Sequence, residues 1–370
     1  MNWLAKRTTT FESSGIRKVF DLGAKLKNPI NLSIGQPHFS VPQPVKDAMI
    51  DALENDKSSY TPTQGLAALR EFWIDNLKKK YPSHDDRNVF ITSGTSGGLV
   101  LTVLATVDAG DEVIFTDPYF VMYDPLVKMF GGVSVPISTY PDFRIDVQKI
   151  SDAITPRTKL ILFNSPANPT GYVASRKEVE AVAKLAQERN ILLVSDEIYS
   201  MYSYDSEFVS PAEYNPATLV LEGYSKTHAM TGWRVGVAHG PSEVIEQMLK
   251  LQQYTFVCAP QVGQWGALEA HDVPMDKSVA DYKRKRDMLV EGLSNYYELG
   301  NPSGAFYMYP KAPWGTATEF VQKAIEDYSL LVIPGGGVFS TQDTHFRLSY
   351  AASDASIHRG IEALLKLAKR

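Results

Sequence analysis

The sequence is poor in cysteine: its 370 residues include only Cys258, so no disulfide can form within the chain. The residues around Cys258 are apolar, and we expect a buried structural thiol rather than a nucleophile. Long hydrophobic runs are also missing, because stretches such as 99–107 are too short to span a bilayer, and no apolar signal segment occurs within residues 1–21. A protein of the reducing cytoplasm, without membrane association, is therefore expected.

An excess of positive charge is absent as well. There are 37 basic and 42 acidic residues, which give a formal net charge of −5. This balance argues against a broad basic surface for nucleic acid or anionic lipid, so any bound anion must be held by a local site. The chain of 370 residues is longer than a domain with a single hydrophobic core usually is. We therefore expect two domains and a small-molecule ligand.

Short β-branched runs alternate with amphipathic helical patterns along most of the chain. Seven runs predict strands, at 88–92, 112–116, 133–137, 159–164, 191–195, 218–222 and 234–239. Two apolar faces at helical spacing accompany them, one before the first strand at 66–77 and one between the strands at 179–186. The alternation predicts an α/β fold with a mostly parallel seven-stranded sheet sandwiched by helices.

The pattern divides the chain into two expected domains. Residues 41–273 are assigned to the large α/β domain. From Pro274 the sequence pattern changes: it predicts a basic helix at 282–295, short strands at 304–309, 331–333 and 345–350, and a C-terminal helix. With the N-terminal arm, residues 1–40 and 274–370 are predicted to form a smaller α+β domain.

Polar residues gather at the ends of four predicted strands, where ligands bind in open α/β sheets. The first is Ser-Gly-Thr-Ser-Gly-Gly at 93–98, which opens into a helix at Leu99. Glycines let backbone amides approach an anion, and the hydroxyls of Thr95 and Ser96 add donors. The segment therefore predicts a phosphate site, although an ordinary helix N-cap uses the same residue types.

The other three strand ends add complementary groups. Segment 162–171 is a turn with two asparagines and two prolines, Asp196 follows an apolar strand, and Lys226 lies between hydroxyl residues with Arg234 eight positions further on. Taken singly, the turn at 162–171 could be a rigid connection between two elements, and Asp196 could cap a turn or the start of a helix. Together the four suit one ligand, a phosphorylated pyridine aldehyde, because the lysine can condense with the aldehyde and the acid can keep the ring nitrogen protonated.

The order and spacing of these segments resemble the class I/II aminotransferases of the aspartate aminotransferase superfamily, which are pyridoxal-phosphate enzymes of fold type I. The resemblance extends from Leu32 to Tyr350, and the block Ser-Lys-x-x-x-x-x-Gly-Trp-Arg at 225–234 is its most specific part. It implies pyridoxal 5'-phosphate as the cofactor and no metal.

Roles at the cofactor ring follow from this resemblance. It implies that Lys226 forms the Schiff base, that Asp196 pairs with the pyridine nitrogen and that Phe120 stacks on the ring. Tyr199 and Asn168 would bind the phenolic oxygen. Catalytic roles thus fall on Lys226, Asp196 and Tyr199.

The resemblance also implies a phosphate site and a partner subunit. Thr95, Ser96, Ser225 and Arg234 match phosphate ligands. Tyr60 matches a tyrosine that reaches the phosphate of a neighbouring subunit, so a homodimer with shared active sites is implied. Without the resemblance, Tyr60 would be taken as an ordinary aromatic residue before a helix.

Arg347 lies between apolar neighbours in a strand pattern, where an unpaired guanidinium is costly to bury. The resemblance implies that it binds the substrate α-carboxylate together with Gly35 and Asn168, and an ion pair with Asp343 is the alternative. No further cation stands out for a distal carboxylate. Aromatic and aliphatic residues that could line an apolar side-chain pocket, or simply pack in the core, are Phe11, Ile16, Phe39, Tyr119, Tyr254, Tyr307 and Phe339.

The expected activity is transfer of an α-amino group between an L-amino acid and a 2-oxo acid by a ping-pong mechanism, with glutamate and 2-oxoglutarate as one pair. A pyridoxal-phosphate lyase or synthase of the same fold is the main alternative, because the cofactor motifs do not distinguish elimination from transamination. A cofactor-binding transcriptional regulator is a remote alternative, since no helix-turn-helix pattern precedes the family motifs.

Overall fold

A computed structural model describes residues 3–13, 15–24 and 26–369. Residues 1, 2, 14, 25 and 370, which fall within the predicted smaller domain, lie outside the described residues. The strands are β1 (Ile30–Asn31), β2 (Arg87–Thr92), β3 (Glu112–Asp117), β4 (Val133–Ser138), β5 (Thr158–Asn164), β6 (Leu192–Asp196), β7 (Leu219–Gly223), β8 (Gly236–Pro241), β9 (Tyr307–Met308), β10 (Leu330–Leu331), β11 (Ile333–Pro334) and β12 (Phe346–Ser349).

The helices are α1 (Gly15–Gly23), α2 (Gln43–Glu54), α3 (Ala67–Lys80), α4 (Gly94–Thr106), α5 (Tyr123–Met129), α6 (Val147–Ala153), α7 (Arg176–Glu188), α8 (Tyr224–Thr227), α9 (Ser242–Tyr254), α10 (Gln261–Ala270), α11 (Asp276–Leu293), α12 (Ala317–Tyr328) and α13 (Asp354–Ala368). Short 3-10 turns occupy Lys6–Thr9, Pro211–Glu213 and Thr231–Trp233. Within the described chain, no helix has the length and apolar character needed to cross a membrane.

Strands β2 to β8 form one seven-stranded sheet in the order β2-β8-β7-β6-β5-β3-β4. Strands β3 to β7 run parallel, and only β8 is antiparallel to its two neighbours within this sheet. Central strands such as β6 are apolar in sequence because both of their faces are covered, and Leu193 and Val194 are fully buried. The predicted mostly parallel α/β sheet is confirmed.

Helix α7 illustrates how the sequence specifies the covering layer. Its Ser175 N-cap and Glu178 form a capping box, which satisfies backbone amides at the helix start. Val179 and Val182 recur on one face and are fully buried against the sheet. The helical face predicted at 179–186 is thus confirmed.

The start of β8 differs from the predicted strand at 234–239. Arg234 has a left-handed φ of 55° and ends the turn Thr231–Trp233, so it cannot begin an extended strand. The strand therefore begins at Gly236. Because β8 is antiparallel, Gly236 lies opposite Gly223 on β7 and Thr92 on β2, at the edge where the neighbouring strands end. This topology brings Arg234 to the carboxyl edge of the sheet.

The N-terminal arm and the C-terminal part share a second set of small sheets. β1 pairs in parallel with β10, and β11, β12 and β9 form a three-stranded antiparallel sheet beside α11, α12 and α13. The predicted strand at 304–309 shrinks to Tyr307–Met308 because Ala305 adopts a left-handed φ of 53°. The domain boundaries at 40/41 and 273/274 stay a prediction.

Cys258 does not match its expected burial. The residue is only partly buried, and its neighbours Phe256 and Val257 are 39% and 42% exposed. Cys258 thus lies between these two surface residues and the fully buried Ala259, and the prediction of a buried thiol is wrong.

Candidate active site

One cavity of about 220 Å³ opens at the carboxyl edge of the large sheet. Eleven of the twelve site residues inferred from the sequence line it: Gly35, Thr95, Ser96, Phe120, Asn168, Asp196, Tyr199, Ser225, Lys226, Arg234 and Arg347. The twelfth, Tyr60, lies outside and is 81% exposed. The structure therefore brings together residues from four strand ends, the N-terminal arm and β12, while their roles remain predictions.

One end of this cavity is built for an anion. Helix α4 begins at Gly94, so its first backbone amides have no partners within the helix, and Thr95 and Ser96 stand on that first turn. A Cβ at Gly94 would come within 2.5 Å of the Arg234 guanidinium, and one at Gly236 would come within 2.6 Å of the backbone at Gly94 and Thr95. Glycine at these positions lets the arginine and β8 approach the helix start. Thr95 Oγ1 also donates to the Glu222 carbonyl at 3.1 Å, which fixes the turn to β7.

Lys226 occupies the last turn of the short helix α8. Its Nζ donates to the Gly35 carbonyl at 2.6 Å, so the lysine bridges the large sheet and the N-terminal arm. Part of the residue faces the cavity, but protein surrounds its amine, and this desolvation lowers the pKa of Lys226 to about 8, with Arg347 and Arg234 acting in the same direction. The amine is therefore far more nucleophilic at neutral pH than an exposed lysine.

Asp196 ends β6 and is 4% exposed. Burial raises the pKa of its carboxyl to about 6, while hydrogen bonds from Tyr123 and Ile198 and the charge of Lys226 oppose that rise. Tyr123 Oη donates to Oδ2 at 2.9 Å, and the backbone amide of Ile198 donates to Oδ1 at 3.4 Å. The acid is thus held by protein donors at a point where it faces the cavity.

The neighbouring strand β5 is tied to the same acid. Asn164, its last residue, donates through Nδ2 to the Asp196 carbonyl at 2.9 Å and accepts the backbone amide of Asn168 at 2.9 Å. Tyr199 is buried, and its Oη lies 2.9 Å from the hydroxyl of Tyr307. Burial raises the pKa of both phenols, so both remain neutral at physiological pH.

Arg347 has the environment of a binding group rather than of a structural ion pair. Its Nη1 donates to Asn168 Oδ1 at 3.0 Å and its Nη2 to the Ser33 carbonyl at 2.8 Å. The guanidinium lies 4.6 Å from the ring centres of both Tyr307 and Phe339. Its Nε, although buried, has no hydrogen-bond partner within the described residues.

Asp343 does not satisfy this cation. Its carboxylate instead accepts the backbone amide of Thr318 at 3.1 Å. The alternative of an ion pair with Arg347 is therefore wrong. A buried guanidinium without a carboxylate partner is costly unless a ligand supplies the anion.

The donor set fits pyridoxal phosphate. Helix amides, hydroxyls and Arg234 form a cradle for the phosphate that a Cβ at Gly94 would fill. The Lys226 amine, which can condense with the aldehyde, and the buried carboxyl of Asp196 line the same cavity. Elsewhere in residues 3–13, 15–24 and 26–369, no group of three or more His, Cys, Asp or Glu side chains is placed to hold a metal ion.

Three lining or supporting residues were not identified as functional in the sequence. Asn164 stands opposite Asp196 in the register of β5 and β6, so its place as the last residue of a strand was a usable signal. Tyr307 was considered only as an apolar pocket residue, yet its hydroxyl meets Tyr199. Tyr123 contacts Asp196 across 73 positions of sequence, and no local pattern indicates that contact.

The expected apolar pocket forms only in part. Ile16 and Tyr307 line the cavity, whereas the other five candidates are not among its lining residues. Phe39 instead packs on Tyr282, and Phe339 stacks against Arg347.

Comparison with known proteins agrees with this geometry. The family model described as aminotransferase class I and II matches residues 27–364. A probable aspartate aminotransferase of Methanocaldococcus jannaschii is 34% identical over 97% of this chain and 98% of its own length. Aromatic-amino-acid aminotransferase 2 of Thermococcus litoralis is 31% identical over 99% of this chain and 98% of its own length.

A solved structure leads to the same family. The aspartate aminotransferase from Thermus thermophilus with maleate has a TM-score of 0.93 and 33% identity, and the match covers 99% of this chain and 100% of that one. Members of the family depend on pyridoxal phosphate. The chain therefore belongs to the class I and II aminotransferases, and amino-acid transamination is the activity that goes with this membership.

Proposed function

We propose that the chain binds pyridoxal phosphate through Lys226 and exchanges the α-amino group between an L-amino acid and a 2-oxo acid, with glutamate and 2-oxoglutarate as one pair. The observation that carries this proposal is that Lys226, Asp196 and Arg347 line one and the same cavity. Relatives named for aspartate and for aromatic amino acids support an amino acid as the substrate. They leave open whether the second amino acid has an acidic or an aromatic side chain.

Each cavity residue has a definable task in this reaction. When bound, the cofactor supplies an aldehyde for the substrate amine and a ring that withdraws electrons from the substrate Cα. Lys226 Nζ removes the proton from that Cα as the general base. Asp196 keeps a proton on the ring nitrogen by its negative charge, and Arg347 orients the substrate through its carboxylate.

A panel of donors and acceptors tests the activity. Purified protein with pyridoxal phosphate is incubated with L-aspartate, L-phenylalanine or L-alanine plus 2-oxoglutarate, and glutamate is quantified. We expect glutamate together with the matching 2-oxo acid. Ammonia and pyruvate released without glutamate would replace the transaminase assignment with a lyase.

Replacing Arg347 by lysine tests the carboxylate site. Lysine keeps a positive charge but loses the planar pair of donors, so kcat/KM for amino acids should fall on the order of 10- to 100-fold. The reaction of a simple alkyl amine, which has no carboxylate, should change little and serves as the substrate control. An equal loss for both kinds of substrate would assign Arg347 to the structure instead.

Capture of the cofactor by the cofactor-free protein should depend on pH through Lys226. Only the neutral amine attacks the aldehyde, so with a pKa of about 8 the capture rate should rise as pH increases to about 8 and then level off. Stopped-flow absorbance after mixing with pyridoxal phosphate measures this rate. A rate that still climbs tenfold per pH unit up to about 10 would indicate an ordinary lysine.

We also propose a homodimer in which Tyr60 completes the site of the partner. Tyr60 and Tyr254 are 81% and 84% exposed. Gln252, two residues before Tyr254 on α9, donates to the Thr63 carbonyl at 2.6 Å, so the segment that follows Tyr60 packs beside the end of α9 that carries Tyr254. Such a patch of exposed aromatic residues is the kind of surface that a second copy covers.

Mixing two impaired variants tests this arrangement. In a dimer of one Tyr60→Ala and one Lys226→Ala subunit, one site has its own Lys226 and receives Tyr60 from the partner. After subunit exchange, activity should recover to about a quarter of the wild-type level, because half of the dimers are mixed and each has one intact site. If the mixture stays as inactive as its components, Tyr60 does not act across an interface.

A further inference from the structure

The carboxylate of Asp196 accepts a hydrogen bond from another buried residue, Tyr123. This tyrosine begins α5, is 2% exposed, and donates from Oη to Asp196 Oδ2 at 2.9 Å. Its ring meets Phe115 and Phe120 at centroid distances of 6.0 and 5.6 Å. The phenol is therefore fixed by packing on the same segment that contributes Phe120 to the cavity wall.

The direction of this hydrogen bond is defined by the two groups. An ionised carboxylate can only accept, so the phenol donates. Burial and the adjacent carboxylate raise the pKa of Tyr123 well above its usual value, so the phenol keeps its donor proton at neutral pH. Oδ2 is committed to Tyr123, whereas Oδ1 has only the longer contact with the Ile198 amide at 3.4 Å.

Other groups near Asp196 do not replace this contact. Lys226 is the cation that acts on the acid from α8, and Tyr199 is the phenol that faces it from the cavity. Lys226 Nζ is engaged with Gly35, and the Tyr199 hydroxyl with Tyr307. Among the described residues, Tyr123 is the one whose side chain donates a hydrogen bond to the Asp196 carboxylate.

We propose that Tyr123 is a positioning residue that acts through Asp196: its hydroxyl anchors Oδ2, directs Oδ1 toward the ring nitrogen of the cofactor, and keeps the proton shared by that pair on the nitrogen. The inference rests on the proposed function, since it assumes pyridoxal phosphate in the cavity. Without the phenol donor, the buried acid would retain the proton and the ring would lose its positive charge.

The variant Tyr123→Phe tests this role, because it removes one hydroxyl and keeps the ring. We expect kcat to fall on the order of 10- to 100-fold with little change in KM, since a charge-assisted hydrogen bond is lost from the acid and not from the substrate site. The acidic limb of the kcat profile should move toward higher pH, because the acid becomes easier to protonate. Tyr119→Phe is the matched control: Tyr119 also packs on Phe115 but is not among the cavity-lining residues.

A cofactor with a fixed charge separates this role from a loss of packing. Both proteins are reconstituted with pyridoxal phosphate and with its N-methyl analogue, whose ring is cationic whatever the state of Asp196. The ratio of wild-type to Tyr123→Phe rates should fall toward one with the analogue. The same ratio with both cofactors, or an unchanged pH profile, would overturn the proposal.

Two further measurements keep the result interpretable. Tyr123→His retains a ring N–H donor and should lie between wild type and Tyr123→Phe, whereas a loss equal to that of Tyr123→Phe would contradict the donor role. The pH titration of the bound cofactor's absorbance reports on the ring without turnover and should shift in Tyr123→Phe. If wild type binds the cofactor but fails the amino-donor panel, the proposed function is wrong, while this titration still decides the role of Tyr123.

Discussion

Replacing Lys226 by alanine should abolish the visible absorbance of the bound cofactor and lower transamination by at least about 10⁴-fold. In the proposed mechanism, the substitution removes both the covalent attachment of the cofactor and the base for the substrate proton. Lys226 is the lysine among the residues that line the cavity, so no neighbouring amine of that set can take over. Absorbance spectra and single-turnover rates with an amino-acid donor measure the two losses separately.

Lys184→Ala provides the matched control for this experiment. Lys184 is 57% exposed on α7 and pairs with Glu180, so its removal should leave both the spectrum and the rate unchanged. Added methylamine should restore part of the Lys226→Ala rate, because a small free amine can accept the substrate proton in the vacated space. A visible band that persists in Lys226→Ala would mean that another lysine holds the cofactor.

The substitution Asp196→Asn is expected to retain the cofactor but reduce turnover on the order of 10³-fold. Asparagine is nearly isosteric and leaves the phosphate site intact, but it has no negative charge to hold a proton on the ring nitrogen. The effect is large because the acid is buried, where a fixed charge is poorly screened. Equilibrium dialysis measures cofactor retention, and steady-state kinetics measures kcat.

Asp142→Asn is a suitable comparison for the charge change alone. Asp142 is 60% exposed, and its carboxylate lies 3.4 Å from Arg144 at the surface. Exposed pairs of this kind contribute little, so its kinetics should match those of wild type. Near-normal turnover in Asp196→Asn would remove Asp196 from the catalytic set.

Local sequence signals were sufficient for the sheet and for the residues that terminate its strands. Apolar runs of strand length predicted β2 to β7 within one or two residues, because burial on both faces leaves little choice of residue. Asp196 could be singled out because a charged residue directly after such a run is unusual unless it meets a ligand, and Lys226 because it lies between hydroxyl residues with Arg234 eight positions further on.

Features that depend on a single dihedral angle or on a distant partner were missed. Arg234 and Ala305 have a left-handed φ, which shortens two predicted strands. Arginine and alanine rarely adopt this conformation, so the sequence does not predict it. The contact from Tyr123 to Asp196, and that between Tyr199 and Tyr307, join residues far apart in sequence. Periodicity describes which face a residue occupies, but it does not identify the partner on the other element.

Cys258, which is only partly buried, shows a different limit. Apolar neighbours suggested a core position, yet Phe256 and Val257 lie on the surface. Apolar neighbours in the sequence do not by themselves distinguish a residue in the core from one at the surface.

The bond from Arg347 to the Ser33 carbonyl joins residues 314 positions apart, whereas the groups described at the anion end of the cavity lie between Gly94 and Gly236. During synthesis, the groups that one subunit is proposed to supply to the phosphate are therefore added to the chain more than a hundred residues before Arg347, the arginine proposed to bind carboxylates. On the proposed function, the parts that hold the cofactor are synthesised first, and the carboxylate site forms only when the C-terminal elements pack against the N-terminal arm.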